Sequence, residues 1–468
     1  MAYVAYVTTL KNVRKHPNAD RLQLGDCFGN TVCVSMDYSE GQVGVYFPTD
    51  GQLSVEFAEQ NNLLRKKDEN GNNVGGYMDP NKRNVCAIRL RGEKSDGLFM
   101  PLSCLDYCYP HIKGGAAAML NIGDTIDIVE GHEICQKYIP VKKNKVHNGG
   151  EGNRTRKKKV PVAPLFAEHA DTEQLAYNIG AFRPGDLVDI TLKMHGTSQR
   201  TGMVPVLTGF KRSLWDKLTG RDGVPQYSWG EVSGTRRTVL EDYAGGFYGS
   251  NEFRERHSKM FEGKLHKGET VYYEVVGFTD NGTPIMADCS NKKLNDKEFL
   301  KKYGETTVFS YGCAPDGYSV DAYWDDEETE PAVLSKVPQS DLYVYRMTFT
   351  NEDGDVVEYS PFFMRYRCEQ MGVKYVPVLW QGFIPTEEEL GDMTAGEWIL
   401  AKAEEYYDGP DPIGKTHVRE GVVVRLIDRP KFAAYKHKNF SFKVLEGIIK
   451  DTADAPDIEE AQEVEDNE

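Results

Sequence analysis

Lys193, in the run Thr191-Leu192-Lys193-Met194-His195-Gly196-Thr197-Ser198, is the residue whose setting points most directly to chemistry. Ahead of it Val188, Ile190 and Leu192 alternate with Asp189, Thr191 and Lys193. A period of two describes a β-strand with one apolar face and leaves the lysine on the opposite face. Gly196 lets the backbone approach a neighbour closely, and Thr197 and Ser198 place hydroxyls beside the amine. A primary amine presented this way is a nucleophile once it has lost its proton.

Three downstream segments are also strand-like and carry charge where a core strand should have none. Val271-Tyr272-Tyr273-Glu274-Val275-Val276-Gly277 sets Glu274 inside an apolar run. Arg419-Glu420-Gly421-Val422-Val423-Val424-Arg425 opens a β-branched run with Glu420. Ala434-Tyr435-Lys436-His437-Lys438-Asn439-Phe440 spaces two lysines at i and i+2, which puts both ammonium groups on one face of a strand. Two such groups repel, and an anion between them relieves the repulsion. Each segment alone also fits a solvated edge strand. Together and in this order they are far more specific.

Their order and wording resemble the covalent nucleotidyltransferases, the superfamily of ATP-dependent DNA and RNA ligases and mRNA capping enzymes. The first motif of that superfamily is Lys-x-Asp-Gly. Lys193-Met194-His195-Gly196 has His in the Asp place, as in nick-sealing RNA ligases of the RNA ligase 2 type. Tyr273 to Gly277 is similar to the third motif, Leu342 to Met347 to the aromatic segment that stacks on the nucleobase, Glu420 to Arg425 to the fourth motif, and Lys436 to Asn439 to the fifth. The resemblance spans about residues 165 to 450. It implies that Lys193 attacks the α-phosphate of ATP, that the resulting lysyl-AMP passes its AMP to a 5′-phosphate end, and that a 3′-hydroxyl then seals the strand. It implies phosphate contacts for Lys436 and Lys438, a divalent ion (Mg²⁺ or Mn²⁺) at Glu420, a ribose contact at Glu274, adenine stacking on Tyr345, and His195 and Gly196 beside the nucleotide. Ser233-Gly234-Thr235-Arg236-Arg237-Thr238 is similar to a segment that contacts a phosphate or the 3′-end. Arg236 and Arg237 are its candidates for nucleic-acid binding, with Lys211-Arg212-Ser213 as a competing segment.

The elements that must position these residues form an α+β chain. Residues 1–138 read as short strands separated by turns, which suggests a small barrel. His16-Pro17-Asn18-Ala19-Asp20-Arg21-Leu22, Val45-Tyr46-Phe47-Pro48 and Asp96-Gly97-Leu98-Phe99-Met100-Pro101-Leu102 resemble the N-terminal OB-type domain of Deinococcus-type RNA ligases. The resemblance gives this barrel a nucleic-acid-binding role. Residues 139–164 form a linker, in which 142–159 hold eight basic residues against one acid, a composition suited to tracking phosphates. Residues 165–450 carry the motifs, in a ligase-type domain of antiparallel sheets flanked by helices. Thr394 and Glu397 form a capping-box signature for a helix from about Ala395 to Tyr407, with Trp398, Ile399 and Ala403 facing inward. Residues 451–468 form an acidic tail, and no OB domain is expected after the fifth motif, unlike DNA ligases and capping enzymes.

The net charge of −16 suits a nucleic-acid enzyme poorly, but nine of the acids lie in 451–468, which holds no Lys or Arg, and more cluster at 325–330. Average charge says little about a local cleft. Nine scattered cysteines with no CxxC pair favour reduced thiols over a zinc site or a disulfide scaffold. No apolar run approaches ~20 residues and no secretory signal opens the chain, so a cytoplasmic protein is expected. The leading expectation is an ATP-dependent RNA ligase acting on RNA with 3′-hydroxyl and 5′-phosphate ends, in a nicked duplex. The alternatives are a DNA ligase or capping guanylyltransferase, or a non-catalytic RNA-binding protein.

Overall fold

The computed structural model describes residues 3–67, 73–139, 160–219, 223–240, 243, 248, 251–321, 333–429 and 431–451. The basic segment 142–159, the acidic stretch 325–330 and residues 452–468 lie outside them. The described residues fall into two compact units, one drawn from 3–139, 289–306 and 439–451, the other from 160–288 and 307–438.

The first unit is built on small antiparallel sheets. Ala5–Thr9 and Val43–Phe47 form the centre of a four-stranded sheet, between Thr125–Ile126 and Leu98–Pro101. Lys11–Lys15, Leu22–Cys27 and Asn30–Ser35 make a second sheet, and Cys135–Lys137, Gly51–Leu53 and Asn84–Val85 a third. Val7, Val45, Phe47, Phe57, Leu105 and Ile134 form its core. Among the described residues no sheet closes into the expected barrel. The strands are too short to pair continuously, and the ladder slips between Lys11 and Arg14. The His16–Asn18 turn serves structure: His16 is fully buried, its Nε2 lies 3.0 Å from the Leu90 carbonyl, and its Nδ1 accepts the Asn18 N–H. The helix Phe440–Asp451 belongs to this unit. Lys443 pairs with Asp96 at 2.6 Å, and Arg89 and Lys94 stand over the Phe440 ring.

In the second unit ten strands form two five-stranded sheets. In chain order they are β1 (Glu173–Gln174), β2 (Leu187–Lys193), β3 (Thr197–Lys211), β4 (Val224–Gly234), β5 (Glu269–Gly277), β6 (Ser340–Thr350), β7 (Val356–Glu358), β8 (Val378–Phe383), β9 (Gly421–Leu426) and β10 (Ala434–Lys438). The first sheet has the order β1-β10-β9-β2-β8 and the second β4-β3-β5-β6-β7. Val188, Ile190 and Leu192 of β2 and Val422, Val424 and Leu426 of β9 make one buried face. All but Leu192 share a core with Ala395, Ile399 and Ala403 of the helix Ala395–Tyr407. That helix opens with the expected capping box, Thr394 Oγ1 accepting the Glu397 N–H and Glu397 the Thr394 N–H.

The opposite face of β2 is not open to solvent as its polarity suggests. Asp189 is 1 % exposed, ion-paired to Arg365 at 2.8 Å and hydrogen-bonded by Gln381. Between the two sheets Glu358 joins Arg346 of β6 to Arg425 of β9, and Arg346 lies between the Tyr272 and Phe432 rings, 4.6 Å from each. No described helix is long and apolar enough to cross a membrane, and all nine cysteines are free thiols. Ile399 is fully buried in the core that backs β2, so Ile399→Ala should cost about 2–5 kcal/mol of stability in a denaturant titration.

Candidate active site

Register brings the strand-end charges together. Lys193 lies opposite Gly421, and Gly421 lies opposite Lys438, so residues at the ends of β2, β9 and β10 form one row on the polar face. Gly421 has φ +148°, and a Cβ there would stand 2.1 Å from the His437 carbonyl oxygen. Only glycine fits between the two lysine-bearing strands. Glu420, the residue before it, is buried, and its Oε1 meets Lys193 Nζ at 2.7 Å and Lys438 Nζ at 3.4 Å. Lys436 sits one pair back on the same face, opposite Val423, and is half-buried.

The loop after Lys193 is fixed from both sides. The His195 N–H donates to the Tyr311 hydroxyl at 2.7 Å, and the Gly196 N–H donates to Glu274 Oε1 at 3.1 Å. A Cβ on Gly196 would approach the Val275 carbonyl oxygen to 2.4 Å, which is the close approach its sequence context suggested. The His195 ring packs edge-on to Phe309 with centroids 4.7 Å apart, and its Nδ1 is 3.9 Å from Glu420 Oε2. Thr197 does not address the amine. Its hydroxyl is held by the fully buried Arg254, whose guanidinium also donates to the Ser198 carbonyl.

Tyr345 occupies a bulge in β6, where the pairing with β5 slips between Tyr272 and Tyr273. Such a bulge re-aims one side chain out of the ladder. The Tyr345 hydroxyl lies 2.8 Å from Ser198 Oγ and 3.2 Å from His169 Nδ1, so the half-buried ring is held at its far end. Burial, reinforced by the charges of Arg236, Arg346, Arg200 and Lys193, pushes the His169 imidazole well below its ordinary range.

Arg236 and Arg237 both reach Asp171, Arg237 at 3.8 Å with nearly half of its side chain exposed. The loop bearing them is organised by buried Arg200, which donates to the carbonyls of Thr235 and Arg237 at 3.0 Å each. Tyr311, His169, Asp171, Arg200 and Arg254 escaped the reading of the sequence. Each acts across more than thirty residues of chain, and no local pattern marks them. The buried carboxylate of Glu420, paired with two lysines, is the oxygen donor here whose chemistry would suit a hard cation. Among the described residues no group of three or more His, Cys, Asp or Glu is arranged to hold a metal by itself.

Tyr311→Phe leaves the His195 N–H without its acceptor in a buried site, at an expected cost of about 1–3 kcal/mol, read as a lower melting point. His169 gives a pH signature. In the unfolded chain this imidazole takes up a proton near about pH 6.5, whereas the fold resists it. The stability it contributes is complete above that pH and declines as pH falls. His169→Asn should therefore flatten the loss of stability as pH falls below about 6.5 in denaturant melts.

No family model matches the chain, and no curated protein matches it. Solved structures do. A Naegleria gruberi RNA ligase mutant with AMP and Mn matches at a TM-score of 0.52 and 17% identity, over 94% of this chain and 97% of that one. An apo mutant of the same ligase matches at 0.52 and 18% identity, over 94% and 97%, and a mutant with ATP and Mn at 0.51 and 16%, again over 94% and 97%. Over nearly its whole length, this chain has the fold of those RNA ligase structures.

Proposed function

We propose that the protein is an ATP-dependent RNA ligase that acts through a lysyl-AMP on Lys193 and seals 3′-hydroxyl to 5′-phosphate ends. The carrying observation is the shared carboxylate. Lys193 and Lys438 converge on Glu420 Oε1, on a fold that solved RNA ligase structures share. This cluster suits displacement at phosphorus, in which a protein mainly positions groups and neutralises charge.

In the first step Lys193 Nζ bonds to the α-phosphorus of ATP. The bond from that phosphorus to the bridging oxygen breaks, pyrophosphate leaves with the electron pair, and the amine's proton passes to water. Lys436 and Lys438 supply positive charge to the phosphate oxygens. Glu420 would hold a divalent ion, Mg²⁺ or Mn²⁺, which supplies further charge neutralisation when bound. Tyr345 offers its ring to adenine, and Glu274 offers a carboxylate oxygen to a ribose hydroxyl while it holds the Gly196 N–H. His195 fixes the loop through its backbone. Arg236 and Arg237 would contact the RNA end, and the N-terminal unit, in the OB-like role its sequence suggests, would bind the RNA flanking a nick.

Incubation with radiolabelled ATP or GTP and Mg²⁺, followed by denaturing electrophoresis, tests this reading. Label from ATP should remain on the protein and vanish in Lys193→Ala. Glu420→Gln should slow labelling by about 100-fold or more. Label from GTP alone would instead indicate a capping guanylyltransferase, and no label from either an RNA-binding protein without transferase activity. Nicked RNA and DNA duplexes with 3′-hydroxyl and 5′-phosphate ends would then separate RNA from DNA sealing.

A further inference from the structure

β3 is fifteen residues long, but it pairs with β5 only from Thr197 to Gly202. Beyond that point β5 ends, and the pairing of β3 with β4 continues alone from Met203–Glu231 to Lys211–Val224. The result is a two-stranded ribbon about 27 Å long, at roughly 3.4 Å per residue. Its root is packed, with Val204 and Val232 in a cluster with Ala163 and Phe166. Its far end carries the short helix Leu214–Thr219, with Leu214 81% and Trp215 68% exposed. Phe210 and Tyr227 nearby on the strands are more than a third exposed. Lys211 and Arg212 stand between these apolar groups, both exposed. The nearby carboxylate of Asp216 is turned inward on Ser213, accepting from its N–H at 2.9 Å and its hydroxyl at 2.6 Å.

We infer that this ribbon tip is an RNA-binding surface separate from the Lys193 cluster, taking phosphates on Lys211 and Arg212 and an unpaired base on Trp215. Exposed aromatics interleaved with cations suit a single strand, because every base has a face to stack and every linkage a charge to neutralise. The charge balance favours this occupant. Residues 203–230 hold four basic residues against two acids in a chain of net charge −16. Connectivity favours it too, because β4 runs from this tip and ends two residues before Arg236. An RNA strand along β4 would meet cations at both ends, about 40 Å apart. The inference takes its ligand class from the ligase reading, but it stands on the ribbon alone.

Binding of the full chain to a fluorescein-labelled, 5′-phosphorylated single-stranded RNA, followed by anisotropy over a range of salt, tests it. The Lys211→Glu/Arg212→Glu double variant should bind at least 10-fold more weakly, and the slope of log affinity against log salt should fall by about 1.4, the value for two phosphate contacts on a single strand. Trp215→Ala should weaken binding about 5-fold or more, with a nearly unchanged slope. Lysyl-AMP formation and the melting point should match wild type in both variants, which separates a binding defect from misfolding. Unchanged RNA affinity in two well-folded variants overturns the inference, and a change in oligomeric state alone would mark the tip as a protein contact instead. If wild type forms no lysyl-AMP yet loses RNA binding in these variants, the ligase reading fails and the ribbon site stands.

Discussion

Two ammonium groups on strand ends that flank a third strand repel by about 4 kcal/mol at 4 Å in a partly buried setting, unless an anion lies between them. Glu420 is that anion, within 3.4 Å of both Lys193 and Lys438. Its position depends on the register Lys193–Gly421–Lys438 and on the missing side chain at Gly421. A one-residue slip in either pairing would turn its charges to the other face, into the core beside Ile399. The helix Ala395–Tyr407 therefore does more than cover a sheet. By burying Val188, Ile190, Val422 and Val424 it locks the register that assembles the charged row.

The same constraint recurs between the two sheets. Arg200 of β3, Arg346 of β6 and Arg425 of β9 are buried, helices bring Arg254 and Arg365, and each of the five has a partner. Some hold carboxylates, as Glu358 is held by Arg346 and Arg425. Others hold only backbone carbonyls, as Arg200 does. Replacing such groups by hydrocarbon is often neutral or stabilising elsewhere, so stability alone does not explain their retention. They keep two sheets apart with polar faces toward each other, where two apolar faces would collapse onto one core.

What the sequence disclosed follows the range of the interaction. Alternation in β2 and the Thr394–Glu397 cap are set within a few residues, and both were legible. The charges of Lys193, Glu420 and Lys438 stood out in the sequence, because charge in an apolar strand is anomalous wherever it occurs. Their shared carboxylate was not, since it depends on pairing across more than two hundred residues. Tyr311 and His169 sit in segments without periodicity and matter only because folding carries them to the loop after Lys193 and to Tyr345. The barrel expected in the first unit is not closed among the described residues, for a related reason. Strand spacing fixes the number of strands but not whether short ladders join into a closed one. The placement of 289–306 and 439–451 with the N-terminal residues left no local mark either, because packing partners decide it.

The double pairing of Glu420 bears on how Lys193 could be both anchored and, in the proposed reaction, a nucleophile. A buried carboxylate with one cationic partner cannot release it cheaply, because breaking such a pair leaves an uncompensated buried charge and costs about 3–5 kcal/mol. Glu420 has two. When Lys193 leaves the pair, the carboxylate keeps Lys438 at the same oxygen, and its burial stays compensated. The amine is thus held in line by a contact whose loss the neighbouring strand already covers. Gly196 and His195, pinned to Glu274 and Tyr311, keep the loop after it from following. This leaves Lys193 as one flexible side chain on a fixed strand end, the freedom that the proposed attack on phosphorus requires.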